Sequence, residues 1–145
     1  MIRVICAMTI TVLTSTTVLA QSATPGTATL YKNPQCSCCE GYAQYLRTNG
    51  FKVVVKPTHD LNRISRQAGI PEKLQGCHTT FLDGYVIGGH VPVNTVRRLL
   101  NERPDIKGIT LPDMPEGSPG MSGVKTAPWR IYSVGNGTPA LYATE

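Results

Sequence analysis

The chain carries few of the features that announce a function outright. Aromatic residues make up only 6% of it, with one tryptophan and two phenylalanines, and charged residues only 16%. Its basic side chains (Lys52, Lys56, Arg63, Arg66, Arg97, Arg98) are scattered, without a run of five or six and without interleaved aromatics. A formal charge of +5 in that arrangement is a solvated surface rather than a nucleic-acid footprint. No L-x-x-C lipid-attachment pattern ends the N-terminal apolar stretch, because Cys6 comes too early. At 145 residues and 41% hydrophobic, the composition gives one ordinary domain, neither disordered nor membrane-embedded.

What is present begins with a targeting pattern. Met1, Ile2 and Arg3 give a short positive start, residues 4–20 are uncharged and largely apolar, and Val18-Leu19-Ala20 before Gln21 resembles a small-residue cleavage site, with Ala23 a second possible stop. A retained membrane anchor is the rival reading, disfavoured by a stretch that is short for a span and rich in threonine. The division read here is a signal peptide at 1–20, a flexible leader at 21–27, a thioredoxin-like domain at 28–105 and a C-terminal extension at 106–145. Cleavage takes Cys6 away and leaves four cysteines: Cys36, Cys38, Cys39 and Cys77.

Three of those four fall within Cys36-Ser37-Cys38-Cys39. An exported chain meets an oxidising compartment, where four cysteines would by default form two structural disulfides. Here that default strains. A bridge between the neighbours Cys38 and Cys39 distorts disulfide geometry, any pairing inside the cluster closes a tiny loop, and only one member can bond Cys77. The weight therefore moves to reactive or metal-binding thiols. Cys36 with Cys39 is a C-x-x-C pair; Cys36 with Cys38 is C-x-C, two soft sulfurs suited to a soft metal.

The surroundings place the cluster. Ala28 to Tyr31 is strand-like and closes at Asn33-Pro34; Tyr42, Ala43 and Leu46 then recur at helical spacing until Asn49-Gly50. The thiols thus occupy the first turn of a helix, where the helix dipole and free N–H groups stabilise a thiolate. Phe51 to Val55 reads as a buried strand ended by Pro57. Thr58 or Asp60 caps a second helix with Leu61, Ile64 and Ala68 on one face. A hairpin turns at Asp83-Gly84 between Thr79–Leu82 and Tyr85–Ile87. Pro92 starts a third helix with Val93, Val96, Leu99 and Leu100 inward.

Strand, helix, strand, helix, hairpin, helix is the thioredoxin-like layout, an α/β single domain. In that fold the chain just before the hairpin runs beside the redox cysteines, usually with a cis-proline. This sequence has Gly76-Cys77-His78-Thr79 there, so the layout is expected to bring Cys77 to the cluster, against the alternative of a lone buried cysteine. From Ile106 on, a Pro/Gly-rich loop holds both methionines beyond the targeting stretch, Met114 and Met121, either as soft thioether ligands or as flexible apolar packing. Trp129–Val134 and Ala140–Tyr142 read as a terminal hairpin around Gly135-Asn136-Gly137. The sequon Asn136-Gly137-Thr138 is discounted, since Asn-Gly is expected there for turn geometry alone.

Thiolate, thioether and imidazole together form a set that selects Cu(I), with imidazole also serving Cu(II). Zinc prefers a closed tetrahedron built from two paired motifs, and a Cys₃His site would leave the methionines without a role. An iron–sulfur cluster wants four spaced thiolates, which the adjacency of Cys38 and Cys39 makes awkward. Among the histidines His90 ranks first, at a Gly-rich strand end. His78 follows by adjacency to Cys77, and His59 reads as a capping or surface residue.

Taken together, Tyr31-Lys32-Asn33-Pro34 with Cys36-Ser37-Cys38-Cys39, Gly76-Cys77-His78-Thr79, Asp83-Gly84-Tyr85-Val86, Gly89-His90-Val91-Pro92 and Met114-Pro115 with Gly117-Ser118-Pro119-Gly120-Met121 resemble the CopG-type periplasmic copper-resistance proteins of Gram-negative bacteria. The resemblance runs from about Leu30 to the terminal hairpin. It implies a thioredoxin-like domain whose C-terminal extension helps bind copper, a cluster of several copper ions bridged by cysteine sulfur, and a role interconverting Cu(I) and Cu(II). The sequence departs from the family at Gly88 and Ser122, where acidic residues are common.

The expected metal ligands are therefore Cys36, Cys38, Cys39, Cys77, His90, Met114 and Met121, with Cys77 either ligating or forming a disulfide. Copper ions are the expected partners, copper efflux or copper oxidase components the expected protein partners, and the mature chain is expected to be a monomer, free of nucleic acid and of the membrane. Two alternatives share the same residues. One is a thiol–disulfide oxidoreductase in which Cys36 attacks and Cys39 resolves; the other is a copper carrier or buffer without redox turnover.

Overall fold

The computed structural model describes residues 26–135 and 137–145. The expected signal peptide with Cys6, most of the leader, and Asn136 of the sequon lie outside the described residues. The elements run β1 (Thr27–Lys32), α1 (Ser37–Thr48), β2 (Lys52–Pro57), α2 (Leu61–Gln67), a 3₁₀ turn (Glu72–Leu74), β3 (His78–Leu82), β4 (Tyr85–Gly88), α3 (Val93–Glu102), β5 (Gly108–Thr110), β6 (Arg130–Val134) and β7 (Ala140–Thr144).

Among the described residues all seven strands join one sheet in the order β2-β1-β3-β4-β5-β6-β7. β1 pairs parallel with β2 and antiparallel with β3, β3 pairs antiparallel with β4, and β4 pairs parallel with β5. Successive residues of a strand face opposite sides, and two apolar clusters follow. The larger joins Leu30 and Ile87 of the sheet to Tyr42, Ala43 and Leu46 of α1 and Val96 and Leu99 of α3. The smaller collects Val86 and Val134 with Ile70 and Leu74, beside the 3₁₀ turn.

Local chemistry sets the boundaries. Asn33 accepts from the amide of Gln35 through its side chain and from the amide of Cys36 through its carbonyl, folding the chain into α1. Asn49 closes that helix and Gly50 takes the left-handed conformation (φ 89°) that a helix end favours. At the β3–β4 hairpin Asp83 and Gly84 both have positive φ, as a two-residue turn of this hand needs.

Several expectations are corrected. Thr27 already belongs to β1 rather than to a flexible leader, and Gly26 donates its amide to the Asp83 carboxylate. β2 is not a buried strand: it is the edge of the sheet and alternates between exposed and half-buried residues, with Val54 48% exposed. The inward face of α2 carries Ser65 as well as the expected Leu61, Ile64 and Ala68. Leu61 and Ser65 are buried, Ile64 and Ala68 half-buried with Ala68 against the smaller cluster, and the Ser65 hydroxyl bonds Thr79 Oγ1 and the Leu61 carbonyl. The region after Ile106 is not merely a loop and a hairpin. Gly108-Ile109-Thr110 pairs with β4, and β6 and β7 carry the same sheet onward.

Burial makes the fold's energetic centre testable. Leu30 is fully buried in β1. Leu30→Ala is expected to lower the unfolding free energy by about 3 kcal/mol, and Val54→Ala on the exposed edge by about 1 kcal/mol or less. Urea denaturation of both variants checks this, and equal losses would contradict the assignment of β2 to an exposed edge.

Candidate metal centre

The helix start, the entry to β3 and the turn after β4 converge at one point. Cys36 is the N-cap of α1 and Cys38 and Cys39 lie in its first turn. β1 and β3 pair Lys32 with His78, which sets Cys77, the residue before β3, against that turn. The four sulfurs lie within 4.8 Å of one another. Cys38 Sγ is 3.2 Å from Cys36 Sγ and 3.7 Å from Cys77 Sγ, and Cys39 Sγ is 3.2 Å from Cys77 Sγ. Cys36 and Cys39 are joined as a disulfide, leaving Cys38 and Cys77 as free thiols. Of the two fates open to Cys77 in the sequence, this structure holds the unpaired one.

Cys77 also belongs to a second group. His90 Nε2 stands 3.1 Å from Cys77 Sγ and His78 Nδ1 stands 3.6 Å from it, with all three ligand atoms within 4.8 Å. Both imidazoles are fully buried. His90 Nδ1 donates to the Pro119 carbonyl at 2.7 Å. That bond fixes the tautomer and leaves Nε2 bare toward the sulfurs, as an outer carbonyl does for many metal-binding histidines. His78 Nε2 is buried without a hydrogen-bond partner, a costly state for a nitrogen unless something else takes its lone pair or its proton.

Burial governs the protonation states. It pushes the Cys77 thiol up to about 12, with the neighbouring Cys38 adding to the shift. It pulls His78 down to about 3, helped by the adjacent His90. His90 is lowered too, again by burial, with the Pro119 carbonyl partly opposing. Both imidazoles are therefore neutral and ready to ligate at neutral pH, whereas Cys77 must lose its proton to bind a metal.

The C-terminal loop closes the site. A Cβ on Gly41 would stand 2.9 Å from the Gly120 carbonyl oxygen, so the loop lies directly on α1 and needs glycine there. This carries Pro119 to His90; Met121, two residues on, is half-buried and its amide bonds the Ser118 carbonyl. Met114 is 40% exposed. His59 is exposed, as expected. At Gly88 an added Cβ would meet Thr110 Oγ1 at 2.5 Å and Ile70 Cδ1 at 2.9 Å, so in this chain the space beside it is filled by Thr110 and Ile70. Ser122 is exposed.

Two contributors escaped the sequence. Tyr42 reads as an ordinary core position of α1, yet it stacks on the His78 ring at 4.6 Å and meets the His90 ring edge-on at 5.4 Å. Its fully buried phenol is pushed well above its usual range by burial, so it stays protonated and donates to the Val91 carbonyl at 2.9 Å. Lys32, 3% exposed, bonds the Pro34 carbonyl and pairs with Glu40, tying the turn before the cysteines to the helix after them. Its spacing of two from Leu30, which puts both on one face of β1, was the available signal.

Fold and site define an α/β protein with a cysteine-rich, imidazole-flanked site of metal-ligating composition. Residues 74–121 match a family model described as a protein of unknown function, DUF411. No curated protein matches the sequence. Two solved structures, titled copper resistance protein copG in form 1 and form 2, are 31% and 30% identical to the chain. Each superposes with a TM-score of 0.76, covering 83% and 82% of this chain and 98% and 97% of theirs. The chain belongs to the CopG family of copper-resistance proteins.

The buried imidazoles make the metal-free protein acid-sensitive. His78 and His90 take up protons in the unfolded chain near pH 6.5 but resist them when folded, so stability is complete above that pH and declines as pH falls below it. Between pH 7 and pH 5 the loss from His78 is expected to be on the order of 2 kcal/mol. Urea midpoints at the two pH values test this against His78→Gln, whose midpoint is expected to move less.

Proposed function

We propose that the chain is a periplasmic copper-binding redox protein of copper resistance that holds copper in a cysteine-bridged cluster and interconverts Cu(I) and Cu(II). The observation that carries this reading is the convergence of four sulfurs, two of them from residues adjacent in sequence, with two neutral imbedded imidazoles. Such a donor set is soft at one end and borderline at the other, the combination that accommodates both copper oxidation states. Crowded thiolates suit a cluster because one bridging sulfur serves two ions, so few residues hold several. The residues read as ligands are Cys36, Cys38, Cys39, Cys77 and His90, with Met114 and Met121 supplying thioethers from the loop.

The chain's own groups divide the work. Pro119 orients His90, the C-terminal loop covers the helix start, and the α1 dipole favours thiolate in the first turn. Bound copper supplies a one-electron couple. The Cys36–Cys39 disulfide ties up two of the four sulfurs, so loading requires its two-electron reduction by a thiol reductant. Periplasmic location is supported by the leader pattern in the sequence, and among the described residues no helix is long and apolar enough to cross a membrane. The β-α-β half followed by a β-β-α half, with thiols at the first helix start, supports a thioredoxin-like fold for residues 28–105. Copper efflux or copper oxidase components are the protein partners this role would need.

One observation favours a second reading. A C-x-x-C disulfide at a helix N-terminus, with Cys36 partly exposed and Cys39 buried, is the arrangement of a thiol–disulfide oxidoreductase. Reduction of a protein disulfide by reduced, metal-free protein would support it. A carrier without turnover uses the same ligands and is distinguished by copper that stays Cu(I) until transferred.

The copper reading is tested by metal content. Cys36→Ser and Cys39→Ser are each expected to lose most bound copper, measured after loading the reduced protein and desalting, whereas His59→Ala keeps the parent's stoichiometry. Equal copper in Cys36→Ser and the parent would sink the proposal.

A further inference from the structure

Three separate stretches meet at the side chain of Tyr42. Its ring lies against His78 from β3, with centroids 4.6 Å apart and planes 30° apart, and against His90 at 5.4 Å and 67°. The two imidazoles are themselves in edge contact at 4.8 Å. The Tyr42 hydroxyl donates to the carbonyl of Val91, the residue next to His90. Gly120, next to the Pro119 that holds His90 Nδ1, packs on the Gly41–Tyr42 backbone. The residue is fully buried and sits three positions beyond Cys39 on the same helix. A leucine would fill a core position of this kind, but it would offer neither a flat face for His78 nor a hydroxyl for Val91.

We propose that Tyr42 is a positioning residue for the metal centre, holding the His78 and His90 rings at fixed orientation to the cysteine-bearing turn of α1 through its ring face, its ring edge and its hydroxyl. This rests on the copper reading above. The ring restrains both imidazoles against rotation about their side-chain bonds, and the hydroxyl pins the Gly89–Val91 turn from which His90 projects, a turn closed by the Val91 amide on the Gly89 carbonyl. Ligand orientation set in advance lowers the ordering cost of binding, and losing such support typically weakens metal affinity about 10- to 100-fold.

The test compares Tyr42→Phe and Tyr42→Leu with Leu99→Ala, which empties a fully buried site of the same core on α3. Copper affinity is measured by competition with a chelator, the nitrogen hyperfine pattern of Cu(II) by electron paramagnetic resonance, and the fold by thermal unfolding of metal-free protein. Tyr42→Leu is expected to lose about tenfold or more in affinity and to change the nitrogen pattern, and Tyr42→Phe to lose less, about threefold. Leu99→Ala should lose stability with affinity and spectrum unchanged. Parental affinity and spectrum in Tyr42→Leu, or an equal affinity loss in Leu99→Ala, would overturn the proposal. If Tyr42→Leu does not fold, the Tyr42→Phe spectrum decides: a nitrogen pattern and affinity identical to the parent's would count against it. Failure of the parent itself to bind copper would instead overturn the copper reading.

Discussion

The site depends on one register. β1 and β3 pair so that Tyr31 meets Thr79 and Lys32 meets His78. Strand side chains alternate strictly, so a slip of one residue would turn His78 out of the α1-covered face and carry Cys77 away from the helix start. The pairing is held on both sides. Leu30 and Lys32 are buried on the same face of β1, and the hairpin turn at Asp83-Gly84 fixes β4, from which His90 follows. A cysteine 38 residues away from Cys39 in sequence is thereby brought to 3.2 Å of it.

That geometry leaves the metal-free protein in an uncomfortable state. It buries two imidazoles, one with an unpartnered nitrogen, beside a thiol held protonated by desolvation. A cation bound beside Cys77 would draw off the thiol's proton and would meet imidazoles that need no proton removed. The residues that make the metal-free fold costly are thus the residues that line the candidate site. The C-terminal loop belongs to this arrangement rather than to a separate appendage, since Pro119 reaches His90 and Gly120 rests on Gly41.

Much of this was legible in the sequence because it is written in short-range signals. Asn49-Gly50 ends a helix and Asp83-Gly84 turns a hairpin for reasons local to those residues, and the Cys36-Ser37-Cys38-Cys39 cluster is unusual wherever it occurs. What escaped depends on long-range neighbours. β5 is three residues, Gly108-Ile109-Thr110, with no periodicity of its own, and exists because β4 offers a free edge. Phe51–Val55 is apolar enough for a central strand, yet the sheet places it at the edge. His78 ranked below His90 because adjacency to Cys77 does not reveal which face it takes. Tyr42 has the right spacing for core, and nothing in one sequence says that the core at that point is made of imidazoles.

The central claim is a cysteine-bridged copper cluster, and X-ray absorption at the copper edge tests it most directly. The account predicts that reduced protein loaded with Cu(I) shows a first shell dominated by sulfur together with a short copper–copper distance, the pair of features expected of bridging thiolates. A first shell of nitrogen and oxygen with no copper–copper scattering would contradict it.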